Sequence, residues 1–477
     1  MEHDAATEAA AIAFGTDGWR ATLDEFTSER LRMVGQAVAT ALDGDGTVVV
    51  GYDARETSPG FAEDLADVLA GNGIDVLVPE RDVPTPVVAW TVRQRDLAGA
   101  LMVTASHNPP EYNGVKFLPP GGAPALPETT ADIEAALAPP ETVPEDERGE
   151  ITEVDLVDAY VEHALAAVET DLSDATIVYD AMHGSGRGVT DHLLERAGAD
   201  VERLRCDQDP TFGGDSPEPA PERLETLAER VAETDATLGI ANDGDADRVT
   251  VVTPDRGALD PNLFFAATYD ALLSGEVLAD PETYYRSGDV VRTVSTSSIV
   301  DRVAESHAET VHETPVGFKW VAQAMADHDA LMGGEESGGF GLTAHLRNKD
   351  GVLVALVAAA VAAEQSYDER VAALLDEHGE IHQSRISVDC PDDRKESVLA
   401  DLEGALPDSM AGAAVDRVST VDGFKVFLDD GSWVLVRPSG TEPKLRVYAE
   451  AGSDERVDEL LAAGRDLVEP LVSATHE

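Results

Sequence analysis

Short apolar runs alternate with helically spaced segments along most of this chain, and several runs break straight into a polar or glycine-rich loop. Thr47-Val48-Val49-Val50 is one such run, Phe61 to Leu69 has helical spacing, and Ile74 to Val78 is apolar again. The alternation recurs at 175–204, as Thr176 to Tyr179, Val189 to Ala197 and Val201 to Leu204, and once more from Val290 to Val311. Such a βαβ rhythm predicts parallel or mixed sheets covered by helices. Three strands end in conspicuous loops. Leu101-Met102-Val103 enters Thr104 to Pro110, Leu238-Gly239-Ile240 enters Asn242 to Arg248, and Leu331-Met332 enters Gly333 to Gly339. Ligands of α/β sheets bind outside the carboxyl ends of strands. Three similar domains can therefore each offer one loop to a shared cleft.

A chain of 477 residues has room for about three domains, or four small ones. Pro139 to Gly149 is a proline- and acid-rich linker, followed by a helical stretch from Val154 to Val168. Thr253 to Asp260 interrupts a strand-rich region, and Glu377 to Glu380 ends a long Ala/Val-rich helical stretch. The last hundred residues run strand (Ile381 to Val388), helix, then paired strands at 424–428 and 433–436. The expected fold is three similar α/β domains with mixed sheets (1–148, 149–254, 255–378) plus a C-terminal α+β domain (379–477) around a central cleft. The last domain adds a fourth loop, Arg437 to Lys444.

Charge narrows the partners. There are 34 Lys plus Arg against 93 Asp plus Glu, a formal net charge of -59, while 43% of residues remain apolar. The apolar share is that of a folding chain. Nucleic acid and anionic membrane surfaces both need clustered cations, so neither is an expected partner. Only six of the basic residues are Lys. Self-repulsion on this scale is relieved by salt, which points to a halophilic cytosol. Cys206 and Cys390 are far apart with no CxxC, so neither a disulfide scaffold nor a zinc site is indicated. Met1 to Ala13 lacks the basic and apolar regions of a signal peptide. The longest apolar run, Val352 to Ala363, is too short to span a bilayer and reads as a buried helix. A soluble cytoplasmic protein is expected.

The loops carry the chemistry. Asp243, Asp245 and Asp247 alternate, and alternate side chains of an extended segment point the same way. Three carboxylates so placed repel unless a cation sits among them, and an all-oxygen ligand set selects a hard ion such as Mg²⁺. An acidic surface turn is the plainer reading, against which stand the preceding apolar strand and Arg248. An EF-hand would continue to a Glu at its twelfth position, where Thr253 and Pro254 here end a strand. Ser106 follows a strand and precedes a His-Asn-Pro-Pro turn that exposes its hydroxyl. Beside a Mg²⁺, such a serine can carry a phosphoryl group. A Ser-His-Asp hydrolase would instead prefer a G-x-S-x-G elbow, which is absent. Arg437-Pro438-Ser439-Gly440-Thr441 offers a guanidinium, two hydroxyls and loop N–H groups, a set suited to a phosphate dianion. Lys116, Lys319, Lys349 and Lys444, four of the six lysines, lie near these loops.

TASHNPPEYNGVK (104–116), DGDADR (243–248), GEESGG (334–339) and RPSGTEPK (437–444) occur in this order, with FGTDGWR at 14–20. Together they resemble the α-D-phosphohexomutases, the family of phosphoglucomutases, phosphomannomutases and phosphoglucosamine mutases, over nearly the whole chain. The composition adds a haloarchaeal character. The resemblance implies four domains in a heart-shaped arrangement. Ser106 would be the phosphoserine, with Asp243, Asp245 and Asp247 holding Mg²⁺ against its phosphate. Arg20 and Arg248 would surround the reacting phosphate and sugar, Lys116 would be general base or acid, and His107 would orient the serine loop. Glu335 and Ser337 would bind sugar hydroxyls, with Val316, Gly317 and Lys319 forming a sugar-recognising loop. Arg437, Ser439, Gly440 and Thr441 would hold the phosphate that is not transferred.

The implied reaction moves a phosphoryl group between C1 and C6 of a hexose phosphate through a hexose 1,6-bisphosphate, in a monomer or homodimer. The sugar loop leans towards glucose, with a phosphomannomutase or phosphoglucosamine mutase of the same family as the alternatives, since phosphoglucosamine mutases more typically carry Gln at position 336. Gly339 stands where many relatives have His, so His345 or Lys349 is left to compensate. A metal-dependent sugar phosphatase using the same aspartates would release inorganic phosphate instead. A non-catalytic cation- or sugar-binding protein would have no use for Ser106 or Arg437. Screening of so large a charge predicts that the chain unfolds more readily at ~0.1 M than at molar KCl. Thermal melts across that range check this, and a midpoint independent of salt contradicts it.

Overall fold

The computed structural model describes residues 2–275, 277–278, 288–440 and 442–473. Four sheets follow one another along the chain. The first has six strands in the spatial order Trp19–Thr22, Tyr112–Leu118, Gly99–Val103, Thr47–Tyr52, Asp75–Pro79 and Ile151–Val154. Ile151–Val154 follows the proline-rich linker and pairs in parallel with Asp75–Pro79. The second sheet is ordered Gly257–Ala258, Val249–Thr253, Leu238–Asn242, Thr176–Asp180 and Asp200–Leu204. The third is ordered Val311–Thr314, Val290–Thr293, Met332–Gly334 and Phe340–Leu342. All three are mixed, as the βαβ rhythm predicts.

They share one device. A parallel strand runs to its carboxyl end, turns, and returns as an antiparallel neighbour. Gly99–Val103 returns as Tyr112–Leu118, Leu238–Asn242 as Val249–Thr253, and Met332–Gly334 as Phe340–Leu342. The three predicted loops are these three reversals. The fourth sheet is antiparallel throughout, in the order His382–Asp389, Lys444–Ala451, Trp433–Pro438, Phe424–Leu428, Ala413–Ser419 and Ser409–Met410. Its loop 439–443 joins two adjacent strands.

The helices start where side chains can satisfy free N–H groups. Asp260 caps Pro261–Leu273 by accepting from Asn262 N and Leu263 N, with proline at the first helical position. Asp350 does the same for Gly351–Glu364. That helix is apolar on every side and buried along nearly its whole length, as its sequence predicts. It packs against the helices Thr190–Arg196 and Pro261–Leu273 and against strands of the second and third sheets, so no side is left for water. No single helix among the described residues is long and apolar enough to cross a membrane.

One continuous core runs through the first three domains, from Val49 through Ile177, Ile240 and Val290 to the Gly351–Glu364 helix. The last domain keeps its own core, from Val388 to Val468. It meets the third domain at a small seam of Val294, Trp433, Leu435 and Tyr448. Polar groups complete the seam. Lys425 Nζ donates to Val294 O at 2.7 Å, and Glu450 accepts from Trp433 Nε1 at 2.8 Å and from Ser298 N at 3.1 Å. Burial pushes the Lys425 ammonium down to about 8, with the nearby Arg292 adding to the effect. Leu356 lies fully buried in the long shared core. Leu356→Ala is expected to cost about 2–5 kcal/mol in chemical denaturation, whereas a cost below about 0.5 kcal/mol, the level of a surface change, would contradict this packing.

Candidate active site

Ser106 sits at the first reversal with a left-handed φ of 51°, a conformation an L-residue adopts only under constraint. The constraint is Arg55. This buried guanidinium donates to Ser106 O at 2.9 Å, Asn108 O at 2.6 Å, Pro109 O at 2.7 Å and Tyr112 O at 3.0 Å. Its Nε donates to Asp53 Oδ2 at 3.0 Å. All five guanidinium donors can be spent in this way. Asp53 also accepts from Ser58 Oγ and Thr104 Oγ1, and Thr104 Oγ1 accepts from Ser106 N at 2.8 Å. Neither Asp53 nor Arg55 was among the expected site residues. The signal was present: Thr47–Tyr52 is another buried strand that breaks into a polar loop, Asp53 to Thr57.

The serine hydroxyl donates to Asp243 Oδ2 at 2.8 Å and lies 3.4 Å from His107 Nδ1. The charge of Arg248, then burial, then Arg20 push the His107 imidazole down to about 2.

Asp243, Asp245 and Asp247 are buried, and an oxygen from each lies within 4.8 Å of the others. Their convergence has a different cause from the extended alternation expected of them. The strand ends at Asn242, and Ala246 takes a left-handed φ of 53°. A turn brings the carboxylates together. Oδ1 of Asp245 and Oδ1 of Asp247 are buried with no hydrogen-bond partner, an arrangement that a cation would satisfy. Burial, then Asp245 and Asp247, push the Asp243 carboxyl well above the usual carboxylate range. A hard divalent ion fits this donor set.

Two ammonium groups stand against the triad. Lys116 Nζ is 2.9 Å from Asp245 Oδ2, 2.9 Å from Asp247 Oδ2 and 3.0 Å from Asp17 Oδ2. Burial works against its charge, but Asp17, Asp245 and Asp247 overcome it and hold Lys116 protonated well above its usual range. Lys349 Nζ is 2.9 Å from Asp247 Oδ2 and 3.3 Å from Asp17 Oδ2. Asp17 also pairs with Arg20 at 3.3 Å. Burial would raise the Asp17 carboxyl, but Lys116, Lys349 and Arg20 hold it well below its ordinary value. Asp17 lies inside the FGTDGWR segment yet went unread as a site residue.

Gly339 explains the position of Lys349. A Cβ on Gly339 would lie 2.6 Å from Lys349 Cδ, so the lysine fills the space a side chain would need. The other candidate for that place, His345, is turned away. It is buried behind the loop, 2.8 Å from Asp350 Oδ2 and 3.0 Å from His163.

Glu335 accepts from Gly317 N at 3.0 Å, which brings two predicted sugar-contacting residues together. Burial pushes its carboxyl up to about 7 against the pull of Lys349. Arg248 lies beside the serine loop and bridges to Gly339 through the backbone. Val316 N and Arg437 Nε both donate to Asp422 Oδ2, at 3.1 Å and 2.8 Å, so one carboxylate joins the segment 316–319 of the third domain to the fourth loop. Lys319 is half-buried within reach of the Asp17 charge, with Nζ 6.0 Å from the Trp320 ring. A Cβ on Gly440 would lie 3.2 Å from Thr16 Oγ1, so the fourth loop faces the first domain. Thr441 lies outside the described residues. A cleft of about 700 Å³ opens among these loops, lined by His107, Arg248, Ser337, Arg385 and Tyr448. Arg385, on the strand His382–Asp389, is a further cation that no motif marked.

In molar KCl, titration calorimetry is expected to give one Mg²⁺ site per chain. Asp245→Asn with Asp247→Asn should weaken it by at least about tenfold. Unchanged affinity in the double variant would contradict the assignment of the triad.

Four family signatures match in chain order. These are the phosphoglucomutase/phosphomannomutase α/β/α domains I, II and III at residues 11–142, 158–257 and 269–379, and the C-terminal domain at 386–467. A protein of Methanothermobacter thermautotrophicus that carries a phosphoglucosamine mutase name is 36% identical over 447 residues, 93% of this chain and 94% of the relative. The phosphoglucomutase/phosphomannomutase of Thermococcus kodakarensis is 31% identical over 469 residues, 96% of this chain and 98% of the relative. A crystal structure of a phosphoglucomutase/phosphomannomutase family protein from Burkholderia thailandensis superimposes with a TM-score of 0.83 at 22% identity, over 98% of this chain and 99% of that one. With four α/β domains, their three strand reversals and a buried acidic triad in one cleft, the chain belongs to the phosphoglucomutase/phosphomannomutase family of isomerases.

Proposed function

We propose that this chain interconverts hexose 1-phosphates and hexose 6-phosphates, glucose preferred, through a phosphoserine at Ser106 and a hexose 1,6-bisphosphate, in the cytoplasm. The observation that carries the reading is the Ser106 hydroxyl, 2.8 Å from Asp243 of the acidic triad, in a backbone conformation that Arg55 imposes. A serine serving only a turn needs neither.

Phosphorylated Ser106 would donate to the free 6-hydroxyl of a hexose 1-phosphate. The bond from phosphorus to Ser106 Oγ breaks, a bond from phosphorus to O6 forms, and the proton lost from the 6-hydroxyl is balanced by the one gained at Ser106 Oγ. The return step restores the phosphoserine with the phosphate taken from O1. Asp243, Asp245 and Asp247, with Ser106, are the residues that would hold Mg²⁺, whose contribution is neutralisation of charge on the transferred group. Lys116, Lys349 and Arg20 add fixed positive charge at the same place. Their shared partner Asp17 holds them in place, so little reorganisation is needed as charge moves. Three carboxylates hold Lys116 protonated, which suits it to stand as a fixed cation beside the transferred group more than to release its proton. Glu335 and Ser337 would accept and donate to sugar hydroxyls, and Arg437, Ser439 and Gly440 would hold the other phosphate.

The substrate preference rests on the sugar loop. Glu336 stands where phosphoglucosamine mutases more typically have Gln, and Gly339 admits Lys349. Glucosamine is the second reading, favoured by the name of the 36% identical relative.

A panel assay with glucose, mannose and glucosamine 1-phosphates in molar KCl tests both. Glucose 1-phosphate is expected to give the highest kcat/KM, and Ser106→Ala to remove turnover with all three. Full activity in Ser106→Ala contradicts the phosphoserine. Inorganic phosphate as the main product would favour a phosphatase.

A further inference from the structure

Two of the six lysines, Lys395 and Lys425, stand in no motif of the cleft. Lys425 is accounted for by the seam between the third and fourth domains. Lys395 lies in the first turn of the helix Asp392–Ala405. A cation there opposes the helix dipole, so helix stability does not explain it. Its side chain is 13% exposed, and its ammonium donates to Ser439 O at 2.6 Å and to Glu442 O at 2.6 Å. It grips the fourth loop from behind. Asp392 Oδ1, at 2.6 Å, balances its charge.

We propose that Lys395 is a positioning residue for the substrate phosphate held by the loop 437–444. The inference rests on the mutase reading of that loop. A trans peptide points its C=O and the following N–H in opposite directions, and the chain has no cis peptide among the described residues. Holding Ser439 O backward therefore aims Gly440 N–H forward. Gly440 itself lies against the first domain, its Cβ position 3.2 Å from Thr16 Oγ1. Two other described N–H groups of the loop are spent within it. Ser439 N donates to Lys444 O at 2.9 Å, and Glu442 N donates to Ser439 Oγ at 3.2 Å. Glu442 O precedes Pro443, which has no N–H, so the second grip is an anchor alone. A cation on the carbonyl also polarises its peptide and makes the N–H a better donor to an anion.

The test compares wild type, Lys395→Met and Lys395→Arg as full chains in molar KCl, by glucose 6-phosphate calorimetry and by steady-state kinetics. Lys395→Met is expected to lose about tenfold in affinity and to raise KM by a similar factor, with kcat changed less. Lys395→Arg, which keeps the charge and the donors, should recover most of the loss. Equal glucose 6-phosphate affinity in wild type and Lys395→Met overturns the proposal. So does an equal loss in both variants accompanied by a lower thermal midpoint, since that marks a scaffold residue. If wild type binds glucose 6-phosphate more tightly than Lys395→Met yet turns over no hexose phosphate, the positioning role stands and the mutase reading fails.

Discussion

A buried ammonium cannot stand alone, and Lys116 meets carboxylates from two domains. Asp17 comes from its own domain, Asp245 and Asp247 from the next. Removing one partner of a buried pair leaves an uncompensated charge, at a cost of about 3–5 kcal/mol. The relative position of the first two domains is therefore tied to the reacting centre. Lys349 brings in the third domain by the same means, sharing Asp17 and Asp247. Groups that would stabilise a transferring phosphoryl also fasten the three domains that carry them. The shared apolar core behind them supplies the bulk of the packing.

The fourth domain obeys a different rule. Its core is separate, and its attachment is a small apolar seam with a few buried polar contacts. That construction suits a binding loop that must approach and withdraw. One donor serine and one phosphate loop handle both ends of a hexose bisphosphate only if the sugar turns over between steps. On the proposed mechanism, three domains sharing one core would carry the chemistry and a fourth with its own core would carry the anchor, a physical solution to that demand.

Much of this was legible in the residues because strand-to-loop transitions are local. The three reversals, the aspartate triad and the serine turn each lie within a few consecutive residues. The three aspartates do converge, but by a turn and not by the extended alternation expected of them, because a left-handed Ala246 is not signalled by its residue type. What went unread was non-local. Arg55 acts on carbonyls more than fifty positions away. Asp17 gains its role only when Lys349 arrives from the third domain, and Lys395 serves a loop 44 residues downstream. Periodicity carries no record of such pairings. The net charge of -59 likewise described the surface and not the site, where the buried aspartates are matched by Lys116 and Lys349.

The central claim is that Ser106 carries the phosphoryl group between the two ends of one sugar. The direct measurement is incubation with hexose 1,6-bisphosphate labelled in phosphorus, followed by peptide mapping and a chase with unlabelled glucose 1-phosphate. Label on the peptide containing Ser106, approaching one per chain and chased into bisphosphate, is the predicted result. Label on another residue, or its release as inorganic phosphate without passing through the protein, would contradict the account.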